Sequence, residues 1–113
     1  MWLIPNNVLY YVSEVILFTQ ETCGACATQQ EKNNGLEEKY PDVEFREVDI
    51  QKDLETAEEY GVRKTPMTLV YANGEQTAEF IALVDRTDLE SAIEGATQQS
   101  SGLAQRLVDI VRT

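Results

Sequence analysis

The sequence predicts an α/β domain: a mixed four-stranded sheet in the order β-α-β, helix, β-β-α, flanked by helices, with one more helix at its C-terminal end. Three observations carry that reading. Val15-Ile16-Leu17-Phe18-Thr19 is a continuous apolar run of strand formers, followed by a polar stretch of helical length and then by an alternating segment, Val43–Ile50. Two strands joined through a helix in this way are expected to be parallel, with a right-handed crossover. Near the other end, Met67–Ala72 and Gln76–Ala82 flank Asn73-Gly74, a strong hairpin signal, so these two strands are expected to be antiparallel.

The helices are argued from their ends. The stretch from Cys23 to Tyr40 is expected to be one helix with a thin apolar face of Ala27, Leu36 and Tyr40. Asn33-Asn34-Gly35 in its middle makes it a poor one, since an interior glycine costs about 1 kcal/mol relative to alanine. Pro41-Asp42 ends it. Asp53–Tyr60 reads as a short helix with Asp53 as N-cap, Leu54 and Ala57 facing inward, and Gly61 at the C-terminal end. Thr87-Asp88-Leu89-Glu90 fits a capping box with Thr87 as N-cap and a helix to about Glu94.

These elements place one domain over residues 1–95, of which 1–14 form an N-terminal extension. Within the extension, Val8–Val12 fits either a short helix or an edge strand. Residues 96–113 are expected to be a polar linker and a short helix. Leu103, Leu107, Ile110 and Val111 fall on one face of that helix, which is expected to pack back on the domain, with a dimer contact and a frayed tail as the alternatives.

Composition sets bounds on partners. With 20 acidic and 9 basic residues the 113-residue chain carries a net charge of −11, which opposes binding to nucleic-acid phosphates. Met1–Phe18 is apolar but is interrupted by Pro5, Asn6, Asn7 and Glu14 and lacks a basic start, so neither a signal peptide nor a membrane span is expected. The expectation is a soluble, cytoplasmic monomer with no membrane partner.

The chain has two cysteines and no histidine, and the cysteines stand two residues apart in Cys23-Gly24-Ala25-Cys26. A purely structural staple across so small a ring would gain only about 2 kcal/mol. A zinc site needs four ligands, and a shared iron–sulfur cluster would need thiols from elsewhere, so no metal is expected. Redox chemistry fits the surroundings. Between a buried strand and a helix start, Cys23 meets free backbone N–H groups and the positive end of the helix dipole, which favour its thiolate. Cys23 is therefore the expected attacking thiol and Cys26, one turn into the helix, the resolving one. Gly24 and Ala25 are small enough to let a partner disulfide approach. No cofactor is expected beyond the Cys23–Cys26 disulfide itself.

Taken with Val48-Asp49-Ile50, with Tyr60-Gly61-Val62-Arg63-Lys64-Thr65-Pro66 and with Asn73-Gly74-Glu75, this motif resembles the thioredoxin superfamily over roughly Val15 to Gly95. The resemblance implies a thioredoxin fold and dithiol–disulfide exchange with protein substrates, regenerated by a reductase. It also implies a cis peptide bond before Pro66, with the Thr65 backbone offered as an edge to an extended substrate. Some positions depart from the family pattern. Thr22 replaces a tryptophan, and Leu17 stands where a buried aspartate accepts the resolving thiol's proton. Ile81 occupies the place of a groove glycine. Phe18-Thr19 is similar to glutaredoxins, but Ala82-Leu83 replaces their Gly-Gly pair, so glutathione is expected to bind weakly, helped at most by Arg63, Lys64 or Arg86. A glutathione-dependent reductase and a redox-inactive module of the same fold are the alternatives. Of the remaining residues, Trp2 is expected to pack, Asp49 to be a turn or strand-end carboxylate, and Glu37-Glu38 and Glu58-Glu59 to be solvated.

Overall fold

A computed structural model of the chain describes residues 13–98. Its strands are β1 (Ser13–Thr19), β2 (Glu44–Asp49), β3 (Met67–Ala72) and β4 (Glu75–Ile81), and they form one sheet in the order β2-β1-β3-β4. β1 runs parallel to β2 and antiparallel to β3, and β3 is antiparallel to β4. The mixed four-stranded sheet is thus the one the sequence predicts. Between β3 and β4 both Asn73 (φ +53°) and Gly74 (φ +82°) take left-handed conformations, as a tight hairpin turn requires.

Among the described residues four helices surround the sheet: α1 (Gly24–Lys32), α2 (Leu36–Lys39), α3 (Leu54–Glu59) and α4, residues 86–98. Strand alternation gives the sheet two apolar faces. One carries Val15, Val70 and Ala72 and is covered by Leu36 of α2 and by Leu89, Ile93 and Ala96 of α4. The other carries Ile16, Phe18, Val48 and Leu69, with Val62 beyond α3 packed on it. Tyr60 extends this second layer, its ring 5.7 Å from Phe18 and 5.8 Å from Tyr71. Ile16 and Phe18 are fully buried, each worth roughly 1.5–3 kcal/mol of transfer free energy.

Several helix expectations need correction. The single helix from Cys23 to Tyr40 is two, because Gly35 takes φ +89° and the chain turns between Asn33 and Leu36. Its inward residues are Cys26, Gln29 and Leu36, whereas Ala27 is exposed. In α3 the Asp53 carboxylate caps the Thr56 amide and Ala57 is buried, as expected, and Gly61 follows with φ +69°. Leu54, however, is 63% exposed rather than inward. Thr87 is not an N-cap: α4 starts one residue earlier, and the Asp85 carbonyl accepts the Leu89 amide at 3.0 Å. Glu90 consequently meets Arg86 at 3.0 Å and Lys39 at 3.2 Å instead of closing a capping box. α4 also continues past Glu94, with Ala96 buried and the Thr97 hydroxyl donating to the Ile93 carbonyl at 2.9 Å. Val8–Val12 and the C-terminal amphipathic segment Leu103–Val111 lie outside the described residues. No helix among the described residues is long and apolar enough to cross a membrane.

Candidate redox site

The end of β1 leads straight into the cysteine motif. The Cys23 amide donates to the Gln20 carbonyl at 3.0 Å, closing a turn that delivers Cys23 to the N-cap of α1. There its backbone is extended (φ −94°, ψ 105°) and its Sγ accepts the Cys26 amide at 3.0 Å, so sulfur occupies the place a hydroxyl or carboxylate takes at other helix starts. No acidic residue stands in the first turn of α1 to oppose negative charge on that sulfur. A disulfide joins Cys23 to Cys26, with the Cα atoms 5.2 Å apart. The two sulfurs differ in access: Cys23 is half-buried, while Cys26 is 2% exposed. Gly24 and Ala25 between them are both exposed, and nothing lies within 4 Å of where a Gly24 side chain would start.

The second half of the site arrives from β3. The Thr65–Pro66 peptide bond is cis. Met67, the first residue of β3, pairs with Phe18, next to the last residue of β1. Because the strands are antiparallel, the cis corner and the cysteine turn leave the same end of the sheet. Pro66 is buried and its carbonyl accepts the Ala82 amide at 2.9 Å, tying the corner to the end of β4. Ala82 is left-handed (φ +70°), so the position that favours glycine is Ala82 and not Ile81. Ile81 and Leu83, on either side of it, are 59% and 46% exposed.

Two residues whose structural role the sequence does not show hold α1 in place. Gln29 is fully buried, and its side chain donates to the Val84 carbonyl at 3.1 Å and accepts the Val84 amide at 2.8 Å. This clamps α1, one turn beyond Cys26, to the segment that follows β4. Arg86 reaches the other end of the helix, donating to the Lys32 carbonyl at 3.1 Å and to the Asn34 carbonyl. A cation at a helix C-terminus satisfies free carbonyls and complements the dipole. No periodicity marks either residue, since both act on partners about 50 positions away.

A cavity of about 200 Å³ opens beside the sulfurs, bordered by Cys23, Cys26, Ala27, Gln30, Glu21 and Asp49. Asp49 is the turn carboxylate the sequence suggests, accepting the Gln51 and Lys52 amides at 2.9 and 3.2 Å. Leu17 is 3% exposed and pairs with Glu47 on β2 and Thr68 on β3, and the Glu47 it pairs with is exposed rather than buried. Among the described residues no group of three or more cysteines or carboxylates gathers as a metal site.

The family model described as Thioredoxin matches residues 7–95. A thioredoxin from Ophiophagus hannah is 32% identical over 80 residues, covering 71% of this chain and 75% of that protein. A segment of NADPH-dependent thioredoxin reductase 3 from Arabidopsis thaliana is 39% identical over 62 residues, 54% of this chain but only 12% of that protein. Among solved structures, a mutant thioredoxin from Halobacterium salinarum NRC-1 superposes with a TM-score of 0.71 at 28% identity, covering 82% of each chain. The chain therefore belongs to the thioredoxin family and is a thiol–disulfide oxidoreductase with the Cys23–Cys26 pair as its redox-active disulfide.

Proposed function

We propose that the protein reduces disulfides in other proteins, with Cys23 attacking and Cys26 resolving. The observation that carries this is the asymmetry of the pair: an accessible sulfur at a helix N-cap, joined to a buried one a turn inside. In the dithiol form, free helix amides favour a thiolate on Cys23. That thiolate attacks one sulfur of the substrate disulfide. A mixed disulfide forms, and the first substrate thiolate leaves and is protonated by solvent. Cys26 then attacks Cys23 Sγ, the Cys23–Cys26 disulfide forms, and the second substrate thiol departs. The substrate gains two electrons and the protein loses two. Gly24 and Ala25 leave room for the approaching chain, while Thr65, held by the cis bond to Pro66, offers main-chain groups for it to pair with.

A second protein returns the electrons. Similarity to a segment of a protein named as a thioredoxin reductase supports a reductase as donor, and the acidic surface of the chain suits a donor with a basic face. Glutathione is the poorer donor in this reading. Arg86, one of three cations that could hold its carboxylates, is committed to the end of α1 and to Glu90, and Asp85 adds negative charge beside it. The protein works under this reading as a cytoplasmic monomer, where the thiol pool is kept reduced.

Turnover of insulin disulfides with two electron sources tests the proposal. NADPH with thioredoxin reductase should drive faster turnover than glutathione. Rapid glutathione-driven turnover that saturates below millimolar would make the protein glutaredoxin-like in function, and no turnover with either donor would reduce it to a binding module.

A further inference from the structure

The resolving step needs a place for the proton on Cys26, and Leu17 leaves the usual one apolar. We propose that Asp49 accepts it, through water in the cavity that the Asp49 carboxylate shares with Cys26. This rests on the two-step reading above and assigns one residue within it.

The geometry favours Asp49 over the other carboxylates nearby. Asp49 ends β2 in register with Thr19, the last residue of β1, and the Ile50 amide bonds to the Thr19 carbonyl at 2.9 Å. The two strand ends are thereby fixed to each other just before the cysteine turn. One carboxylate oxygen is anchored by the Gln51 and Lys52 amides, which sets the direction of the group. A 200 Å³ space has room for several waters and is lined by polar partners that could order them, among them the Gln30 amide. Glu21 borders the same cavity from the turn between β1 and α1 but is exposed there, and no hydrogen bond among the described residues fixes its direction. Glu47 instead accepts a hydrogen bond from Gln30 at 2.6 Å and does not border this cavity. The titratable and charged groups around Asp49 are Cys23 at the N-cap of α1, Cys26 within it, Glu21, and Lys52 and Asp53 in the turn that follows β2.

In the mixed disulfide Cys26 is a thiol. Its proton passes through water to the Asp49 carboxylate, and the resulting thiolate attacks Cys23 Sγ. The bond from Cys23 to the substrate sulfur breaks, and the leaving thiolate takes a proton from Asp49 or from solvent. No electrons beyond those of the disulfide exchange are involved.

The two steps separate when reduced protein is mixed with excess 5,5′-dithiobis(2-nitrobenzoate). Attack by Cys23 releases one coloured thiolate at a rate proportional to reagent, and resolution by Cys26 releases a second at a rate independent of it. Asp49→Asn keeps the acceptor for the Gln51 and Lys52 amides, so the turn is retained, and an unchanged melting temperature verifies this. At pH 7 the variant should slow the second phase about tenfold or more while leaving the first unchanged, as for loss of a general base. The wild-type and variant second phases should converge at high pH, where Cys26 ionises unaided. A second phase in Asp49→Asn that matches wild type in rate and pH profile overturns the assignment. So does a slowed second phase in Glu21→Gln or Glu47→Gln with Asp49→Asn unaffected. If wild type shows no second phase at all, the two-step reading itself fails, and the assignment of Asp49 falls with it.

Discussion

Replacing Gln29 by leucine removes the clamp between the redox helix and the segment after β4 while changing side-chain volume little. Three hydrogen bonds are lost: two with the main chain of Val84 and one from Gln29 to the Asn33 side chain at 2.9 Å. Asn33 is near enough to solvent to find water, but Val84 is 6% exposed, and its N–H and C=O are left without these partners. Each buried group stranded in this way costs about 1–3 kcal/mol. Burying leucine rather than an amide returns about 1.5–3 kcal/mol. The balance is a destabilisation of about 2 kcal/mol, and a domain of this size should then melt about 10 °C lower. Urea denaturation monitored by circular dichroism measures it, with the slope against denaturant expected to stay the same. A loss below about 0.5 kcal/mol, the range of an ordinary surface substitution, would refute the argument that Gln29 carries buried main-chain polarity.

Brief iodoacetamide treatment of the reduced protein at neutral pH should label Cys23 and spare Cys26; mass mapping that found Cys26 labelled first would reverse their roles. Thr68 is fully buried and its hydroxyl has no hydrogen-bond partner among the described residues. Thr68→Val should therefore be neutral or stabilising by about 0.5–1.5 kcal/mol in a denaturation experiment, and a clear loss would mean the hydroxyl is satisfied. The Tyr40 phenol, desolvated and donating to the Glu94 carboxylate at 2.7 Å, has its pKa pushed up from 10.0 to about 12. The unfolded chain therefore gives up this proton first as pH rises above 10, so stability falls between pH 10 and 12, and Tyr40→Phe should flatten that decline. An unaltered alkaline decline in the variant would remove Tyr40 as its source.

What can be read from the sequence follows from how local each cause is. The β3 strand runs over the predicted Met67–Ala72, because strand formers, a preceding proline and the Asn73-Gly74 turn all act within a few residues. The cysteine motif is equally legible, since strand end, turn and helix start are contiguous. The break in the redox helix shows in the sequence only as a cost: Gly35 is unfavourable inside a helix, but its left-handed conformation depends on Leu36 reaching the core beneath α4. Leu54 faces outward against expectation because a helix of six residues presents too little periodicity to choose a face. Thr87 fails as a cap because α4 already begins at residue 86, which leaves Glu90 to pair with Arg86 and Lys39, one of them from α2. The hold that Gln29 and Arg86 keep on the redox helix escapes sequence reasoning for a different reason. A polar residue on a helix looks solvated until the chain folds and places a distant carbonyl against it. Asp49 is legible as a turn residue, and only the packing of β2 beside β1 shows that it also borders the sulfurs.

The most direct test of the central claim uses Cys26→Ser, which keeps the accessible sulfur and removes the buried one. Reduced variant incubated with an oxidised protein substrate, quenched in acid and examined by non-reducing mass spectrometry, should hold the substrate in a stable mixed disulfide through Cys23. Under the same treatment Cys23→Ser should hold none. Equal trapping by the two variants, or a linkage mapped to Cys26 in Cys23→Ser alone, would contradict the division of labour drawn from the geometry of the pair.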